Sequence, residues 1–258
     1  MNSLVKSKQG HLAVSIIIGV TLLLMSSGVY GGPATVEHVY ELNNSFADAL
    51  GGPALVPAGG TLNPTNYSFG PNQGLALSNG LLDTADYSIE VIFNFSALSG
   101  YRKIIDFKDR TSDTGLYNLN NNLNFYNITT GSGTPFVANV DAHLVVTRDG
   151  STDQFVGYVD GNPEISFTDG GALAVFSGTN NIIHFFKDDF PTSTSEASGG
   201  VVGRIRIYDG VLTPAQVTDL FNGGDPPGSV PIPEPSSLLL LGLGLVGLFA
   251  VHRQQQEK

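Results

Sequence analysis

The feature that most constrains the fold is strict alternation along Tyr87–Phe95, where an apolar side chain occupies every second position. Successive side chains of a β-strand point to opposite faces, so this pattern predicts a strand with one buried face. Such a strand needs a second layer to cover its apolar face. The chain is therefore expected to build a layered β structure around this segment.

Short β-type runs recur along the middle of the chain, and turn residues separate them. Turn signals at Asn120–Asn122, Asp149-Gly150 and Asp160-Gly161-Asn162 predict hairpins. The further predicted strands are Lys103–Phe107, Gly115–Leu119, Leu123–Asn127, His143–Arg148, Phe155–Val159, Glu164–Phe167, Ile182–Phe186 and Val201–Tyr208. Strands at this spacing predict an all-β sandwich or jelly roll.

One short helix is predicted after the last strand. Thr213 is a suitable N-cap, Pro214 suits the first helical position, and Gln216 completes a capping box. Asn222-Gly223 ends the helix. Because a helix this short is not stable alone, its apolar face must pack on the sandwich.

The charge balance and the absence of cysteine exclude several classes of function. The chain has 12 Lys and Arg against 23 Asp and Glu, and no Cys. Nucleic-acid binding needs basic patches, so we expect no nucleic-acid partner. Without Cys the chain has no disulfide, no thiolate metal site and no Cys nucleophile.

The N-terminal segment has the pattern of a secretory signal peptide. Lys6 and Lys8 precede the apolar run Leu12–Met25, and small residues follow it. We expect residues 1–31 to be removed by signal peptidase, with an uncleaved membrane anchor as the alternative.

The C-terminal segment contains the uncharged run Leu238–Val251. As a helix this run would be about 21 Å long, which is short of a bilayer core of about 30 Å. A transmembrane helix over about residues 236–252 is predicted, and a buried helix of a soluble domain is the alternative. Arg253 and Lys258 follow the run, so the positive-inside rule leaves the C-terminus in the cytoplasm.

These C-terminal features together resemble a PEP-CTERM sorting signal. Pro233, Glu234 and Pro235 come first, the short Leu/Gly/Val/Ala span follows, and the basic tail ends the chain. The resemblance implies recognition by an exosortase, a membrane cysteine transpeptidase of Gram-negative bacteria that make exopolysaccharide. The sorting signal is assigned to residues 232–258, and residues 225–231 are interpreted as a Pro/Gly linker.

The middle of the chain resembles a laminin-G, or concanavalin A-like lectin/glucanase, jelly roll. The resemblance rests on the segments Asp141–Gly150, Tyr158–Gly161 and Gly203–Val217. The first segment often begins Trp-His-His in that family, and only His143 is kept here. The resemblance implies a jelly-roll domain over residues 32–224, and fold alone leaves its function open.

No catalytic motif is present in this domain. The glucanases of the resembled superfamily place Asp two residues after a Glu on one strand, and no Glu here is followed in this way. Glu90 lies on a predicted strand, yet Ile92 occupies the next position on the same face. His143 is interpreted as a structural strand histidine. The domain is expected not to be an enzyme.

Two kinds of ligand site are considered for the domain. The resemblance suggests calcium, for which the candidate ligands are Asp106, Asp109, Asp188 and Asp189, with Asp113 also available; solvated surface acids are the alternative. A glycan site would use aromatic and amide side chains. Its candidates are Tyr101, Tyr117, Asn118, Asn124 and Tyr126, and ordinary sheet residues are the alternative.

The sequence therefore predicts an exported protein, held briefly in the inner membrane and then sorted to the cell surface or extracellular matrix. Its jelly-roll domain is expected to be a non-enzymatic module that binds carbohydrate, such as extracellular polysaccharide, or protein. A glycan-active enzyme and a purely structural surface protein are the alternatives.

Overall fold

Two antiparallel β-sheets form the part of the protein that the computed structural model describes, residues 34–229. The strands are β1 (Thr35–Tyr40), β2 (Val56–Pro57), β3 (Thr61–Leu62), β4 (Tyr67–Phe69), β5 (Leu75–Leu77), β6 (Tyr87–Phe95), β7 (Tyr101–Asp106), β8 (Gly115–Leu119), β9 (Asn122–Phe125), β10 (Thr129–Thr130), β11 (Ala142–Asp149), β12 (Gln154–Val159), β13 (Asn162–Thr168), β14 (Ile183–Phe185) and β15 (Gly200–Asp209). Sheet A has the order β13-β12-β11-β6-β15-β4-β3, and β1 also pairs with β15. Sheet B has the order β10-β9-β8-β7-β14-β5-β2.

The main core lies between the two sheets. Strand β6 contributes Ile89, Val91 and Phe93 from sheet A, and sheet B contributes Leu116 and Phe125. All five side chains are at most 1% exposed. The alternation along β6 thus places its apolar face against sheet B, and the predicted all-β sandwich is confirmed.

The strands predicted from Tyr87 onward are present, with bounds that agree to within two residues. β1 to β5 and the two-residue strand β10 were not predicted. β2 to β5 are two or three residues long and lie in a segment rich in Gly and Pro. A strand of two or three residues is too short to show alternation. β4 and β5 form because β15 and β14, far along the chain, pair with them.

Two hairpins depend on residues that accept the left-handed conformation. Asn120 and Asn121, with φ of 49° and 74°, connect β8 to β9. Asp160 and Gly161, with φ of 50° and 77°, connect β12 to β13. Positive φ at both central positions matches the twist of a two-residue hairpin, which fixes the register of each pair.

The single α-helix, α1 (Pro214–Phe221), packs on the outer face of sheet A. The side chain of Thr213 accepts a hydrogen bond from Gln216 N, and Gln216 Oε1 accepts one from Thr213 N, which closes the predicted capping box. Val217 and Leu220 are buried against Tyr208 in a second, smaller apolar cluster.

We expect a Thr213→Ala substitution to lower the free energy of unfolding by about 1 kcal/mol, because an N-terminal N–H of the helix loses its acceptor. Chemical denaturation of the full-length chain in detergent measures the change. Thr213→Ser keeps the hydroxyl and should restore most of the loss. Equal losses in both variants would mean that the cap does not stabilise the helix.

The two ends of the described region lie side by side. The backbone N–H of Val36 in β1 donates to the carbonyl of Pro227 at 2.9 Å. A Cβ on Gly228 would lie 2.9 Å from Cβ of Thr35. The described part of the predicted linker, residues 225–229, therefore runs along the beginning of the domain.

Several predictions concern residues outside the described region. These are the signal peptide (1–31), the sorting residues Pro233, Glu234 and Pro235, the transmembrane helix (236–252) and the basic residues Arg253 and Lys258. Within residues 34–229, no helix has the length and apolar character needed to cross a membrane.

Candidate functional site

The outer face of sheet B, which points away from the main core, carries a row of polar side chains. Leu116 points into the core, so its neighbour Tyr117 on β8 points outward. Tyr117 pairs with Lys103 on β7 and with Asn124 on β9. The register of these strands thus sets Lys103, Tyr117 and Asn124 side by side on one surface.

Three tyrosine rings gather on this face. The ring centre of Tyr101 lies 5.5 Å from that of Tyr117 and 5.6 Å from that of Tyr126. Tyr117 and Tyr126 are 6.1 Å apart, and all the pairs meet edge to face. This geometry is favourable for aromatic rings and leaves Tyr101 and Tyr126 partly exposed.

A cleft of about 450 Å³ opens beside these rings, and we call it the tyrosine cleft. It is lined by Tyr101, Asn124, Tyr126, Asn127, Ile128, Thr129 and Thr130. Its volume falls within the range of small-ligand sites, and aromatic and amide side chains lie side by side in its lining. Three of the five glycan-site residues predicted from the sequence line it, and Tyr117 lies directly beside it. The fifth, Asn118, is fully buried, and its amide nitrogen donates to Leu98 O at 2.7 Å.

Asn124 offers an unused hydrogen-bond acceptor in the tyrosine cleft. Its side chain is 4% exposed, and its amide nitrogen donates to Thr129 O at 3.1 Å and to Thr130 Oγ1 at 2.8 Å. Its Oδ1 atom has no partner among the described residues. Buried amide oxygens are nearly always satisfied, so this atom points to a ligand or water in the cleft.

Lys103 is fully buried below Tyr117. Its ammonium bonds the Asp189 carboxylate at 2.9 Å and lies 3.6 Å from that of Asp106. It also lies 4.2 Å from the centre of the Tyr117 ring, a cation–π contact. All three charged side chains are 0% exposed, so the pairing is what makes burial of these charges tolerable.

Asp113, Asp189 and Glu196 form an acidic trio next to the rings. One carboxylate oxygen from each lies within 4.8 Å of the others. Asp113 lies in the β7–β8 connection, and the other two lie in the β14–β15 connection. The Tyr117 hydroxyl donates to Asp113 Oδ1 at 2.8 Å and lies 3.2 Å from Asp189 Oδ2, so the trio adjoins the tyrosine rings.

The three carboxyl groups differ in acidity. Burial, and then repulsion from Asp113 and other acids, raises the pKa of Glu196 to about 7. Burial and the charge of Asp189 also raise the pKa of Asp113, although the Tyr117 hydrogen bond opposes this. For Asp189, burial is outweighed by hydrogen bonds from Lys103 and Thr192, which lower the pKa.

The predicted calcium ligands do not converge on one point. Asp109 pairs with His184 at 2.9 Å. Asp188 accepts hydrogen bonds from Thr192 Oγ1 and Glu196 N. In residues 34–229, the trio is the one group of three possible metal ligands this close together. It offers fewer than the six to eight oxygens that calcium prefers, and the Lys103 ammonium bonds one of its members, so these residues fit calcium poorly.

Glu196 was not predicted as a site residue. It is the one glutamate between Glu164 and Glu234, in a segment rich in Ser and Thr. Its position beside Asp113 comes from the path of the β14–β15 connection, along which Lys103 N donates to Glu196 O at 2.8 Å. Nothing in the local sequence indicates that contact.

Glu90 and His143 belong to a different cluster, on the outer face of sheet A. Glu90 is fully buried, and its carboxylate bonds His143 Nε2 at 3.0 Å, the Tyr208 hydroxyl and Arg206. The Phe221 ring of α1 lies 5.9 Å from the His143 ring. This network supports the helix and is remote from the tyrosine cleft, which is on the other sheet.

The fold and the match to a family model together define the class of protein. The model for the concanavalin A-like lectin/glucanases superfamily matches residues 69–218, more than half of the chain, so the chain belongs to that family. A second model, for the PEP-CTERM protein-sorting motif, matches residues 231–254. The chain therefore carries a sorting motif that indicates an exported, transiently membrane-anchored protein processed by an exosortase.

Solved structures share the fold at low sequence identity. Domain 4 of AbnA, a GH43 extracellular arabinanase from Geobacillus stearothermophilus in complex with arabinotriose, has a TM-score of 0.52 and 19% identity, and the match covers 73% of this chain and 98% of that one. Trypanosoma rangeli sialidase has a TM-score of 0.55 and 15% identity, covering 72% of this chain and 32% of that one. The binding domain of botulinum neurotoxin DC in complex with rat synaptotagmin II has a TM-score of 0.55 and 13% identity. That match covers 73% of this chain and 51% of the neurotoxin chain.

These neighbours include an enzyme and binding domains, so the fold alone does not separate the two kinds of function. The sequence also spans only about a third of the sialidase chain and about half of the neurotoxin domain. The comparison with curated proteins found no match.

Proposed function

We propose that this protein is a non-enzymatic glycan-binding module of the cell surface or extracellular matrix, and that the glycan lies in the tyrosine cleft. The observation that carries the proposal is the Oδ1 atom of Asn124, which is buried, has no hydrogen-bond partner within residues 34–229, and belongs to a residue that lines the cleft with Tyr101 and Tyr126. A sugar hydroxyl would donate to this oxygen while the tyrosine rings contact the apolar face of the sugar ring. The arabinotriose complex of a domain with the same fold supports a glycan as the ligand.

The terminal segments fit this proposal. Residues 1–31 act as the signal peptide, residues 232–258 act as the sorting signal, and exosortase handles the exported chain at the membrane. The domain would then be delivered where an extracellular polysaccharide is available.

Binding to a glycan panel tests the proposal. The probes are arabinotriose, cellohexaose, and hexamers of N-acetylglucosamine and glucosamine, with the full-length chain in detergent. We expect Tyr126→Ala to weaken binding about 30-fold, since truncation of an aromatic anchor costs about 2 kcal/mol. Asn124→Ala should weaken it up to about tenfold.

Phe221→Ala is the matched control, because it removes an aromatic ring of α1, which packs on the other sheet. It should leave binding unchanged. Failure of every probe to bind, or equal affinity of the Tyr126→Ala variant, would contradict the proposal.

A second function, glycan hydrolysis, is favoured by one observation. Asp189 and Glu196 are close together and their pKa values are displaced in opposite directions, as in pairs of catalytic carboxyl groups. Against this, the Asp189 carboxylate is fully buried and already bonded by Lys103 and Thr192. Release of reducing ends from the panel, lost in Glu196→Gln, would establish the enzyme.

A further inference from the structure

The acidic trio lies beside the tyrosine cleft, and Tyr126 connects the two. Tyr126 lines the cleft, and its ring centre lies 6.1 Å from that of Tyr117, whose hydroxyl donates to Asp113 Oδ1 at 2.8 Å. The charge of Asp113 raises the pKa of the Tyr126 hydroxyl. A sugar chain bound between Tyr101 and Tyr126 would therefore continue past the partly exposed side chains of Asp113 and Glu196. A ligand of this cleft has to be compatible with that negative charge.

We propose that the ligand is a glycan with free amino groups, and that Asp113 and Glu196 bind an ammonium group of the sugar, with Asp189 beneath them. This inference rests on the proposed glycan-binding function and names the class of glycan. Amino sugars such as glucosamine units would bind most tightly, and uncharged or acidic sugars would bind more weakly.

The acidic trio lies in a region with an excess of negative charge. Asp188 adds a further fully buried carboxylate, which also raises the pKa of Glu196. Lys103 offsets only part of this charge, because within residues 34–229 its ammonium pairs with Asp189 and Asp106 and with neither Asp113 nor Glu196. A cation from outside would remove the repulsion that remains.

The protein already binds one ammonium group in this way. The Lys103 ammonium rests over the Tyr117 ring at 4.2 Å and bonds the Asp189 carboxylate at 2.9 Å. Tyr126, Asp113 and Glu196 also offer an aromatic ring and carboxylates near one another, and all three are partly exposed. An aromatic face together with a carboxylate is a favourable site for an amine.

Asn124 supplies an independent indication of a ligand. Asn124 lines the same cleft, and its buried Oδ1 atom, which has no partner among residues 34–229, has capacity to accept a hydrogen bond from a sugar hydroxyl. The acids alone would suit any cation, whereas the acids together with this amide and two tyrosine rings suit a sugar that carries an amine. The formal net charge of −11 would also attract a cationic polymer and repel an anionic one.

The protonation state of Glu196 should make glycan binding depend on pH. The groups that face Glu196 are Asp113, Asp188, Asp189 and Lys103, with Tyr126 at the edge of the cleft. Because its pKa is about 7, Glu196 becomes charged as the pH rises from 6 to 8. Affinity for a permanently charged amine should increase over this interval.

Titration calorimetry with glucosamine hexamer and N-acetylglucosamine hexamer tests the inference, using the full-length chain in detergent with EDTA present. We expect the amine form to bind at least about tenfold tighter, because hydrogen bonds to charged groups contribute about 1.5–3 kcal/mol. Glu196→Gln and Asp113→Asn should each reduce that preference. A trimethylated glucosamine oligomer, whose charge does not titrate, should bind more tightly at pH 8 than at pH 6.

Asp219→Asn is the control variant, since Asp219 is exposed on α1 at the other sheet. It should leave the preference intact. Equal affinity for the two hexamers, or an unchanged preference in Glu196→Gln, overturns the inference while glycan binding stands. Calcium that binds in a separate titration without EDTA and in a Glu196-dependent manner, with no preference between the hexamers, assigns the trio to a metal and overturns the inference. If no sugar binds, the proposed function fails with it.

Discussion

A Lys103→Met substitution is expected to lower the free energy of unfolding by about 3–5 kcal/mol at neutral pH, one of the largest effects for this chain. Methionine fills a similar volume but removes the ammonium between Asp189 and Asp106, both of which are fully buried. Their negative charges would then remain buried without the ammonium group that pairs with them. Thermal unfolding should show a decrease in Tm of roughly 10 °C.

The pH dependence identifies the cause of this loss. The pKa of Asp189 is lowered in the folded protein, so its pairing stabilises the fold above the unfolded-state pKa. That contribution disappears as the pH falls through the folded-state value. The difference in the free energy of unfolding between Lys103→Met and the parent protein should therefore become smaller at acidic pH.

Adding Asp189→Asn to the variant removes one of the unpaired charges and should recover part of the stability at neutral pH. A gap that stays constant between pH 7 and pH 3 would mean that lost packing, and not unpaired charge, causes the effect.

A Phe93→Ala substitution should destabilise the protein by about 3–5 kcal/mol for a different reason, the cavity that it leaves. Phe93 is 1% exposed, and its ring lies 5.1 Å from Phe95, 5.2 Å from Phe186 and 5.9 Å from Phe136. Phe95 is on the same strand as Phe93, whereas Phe136 and Phe186 reach it from the β10–β11 and β14–β15 connections, so local relaxation cannot fill the space.

Leu82→Ala provides the control for Phe93→Ala, because Leu82 is 75% exposed and its loss should cost less than about 0.5 kcal/mol. Denaturant unfolding measures both variants. Similar values for the two would show that the ring cluster around Phe93 does not contribute to stability.

The sequence predicts the long central strands and the helix well. The alternation along Tyr87–Phe95 and the Thr213–Gln216 cap are local patterns, and each determines its own element. β2 to β5 have no such pattern, since their existence depends on distant partners. β5, for example, pairs with β14, more than a hundred residues later in the chain.

For the same reason, the sequence predicted only part of the tyrosine cleft and the acidic trio beside it. Tyr117 and Asn124 lie on neighbouring strands of a predicted hairpin, so their proximity follows from local register. Glu196 reaches Asp113 through the long β14–β15 connection, and no sequence pattern encodes that path. The ion pair between Lys103 and Asp189 was not predicted either, because the two residues are far apart in the sequence and only the fold brings them together.

The hydrogen bond between Val36 and Pro227 gives the domain the property of a cassette. Because its folded part begins and ends at one point, the β-sandwich can be placed within another chain as a unit without any change in its own path.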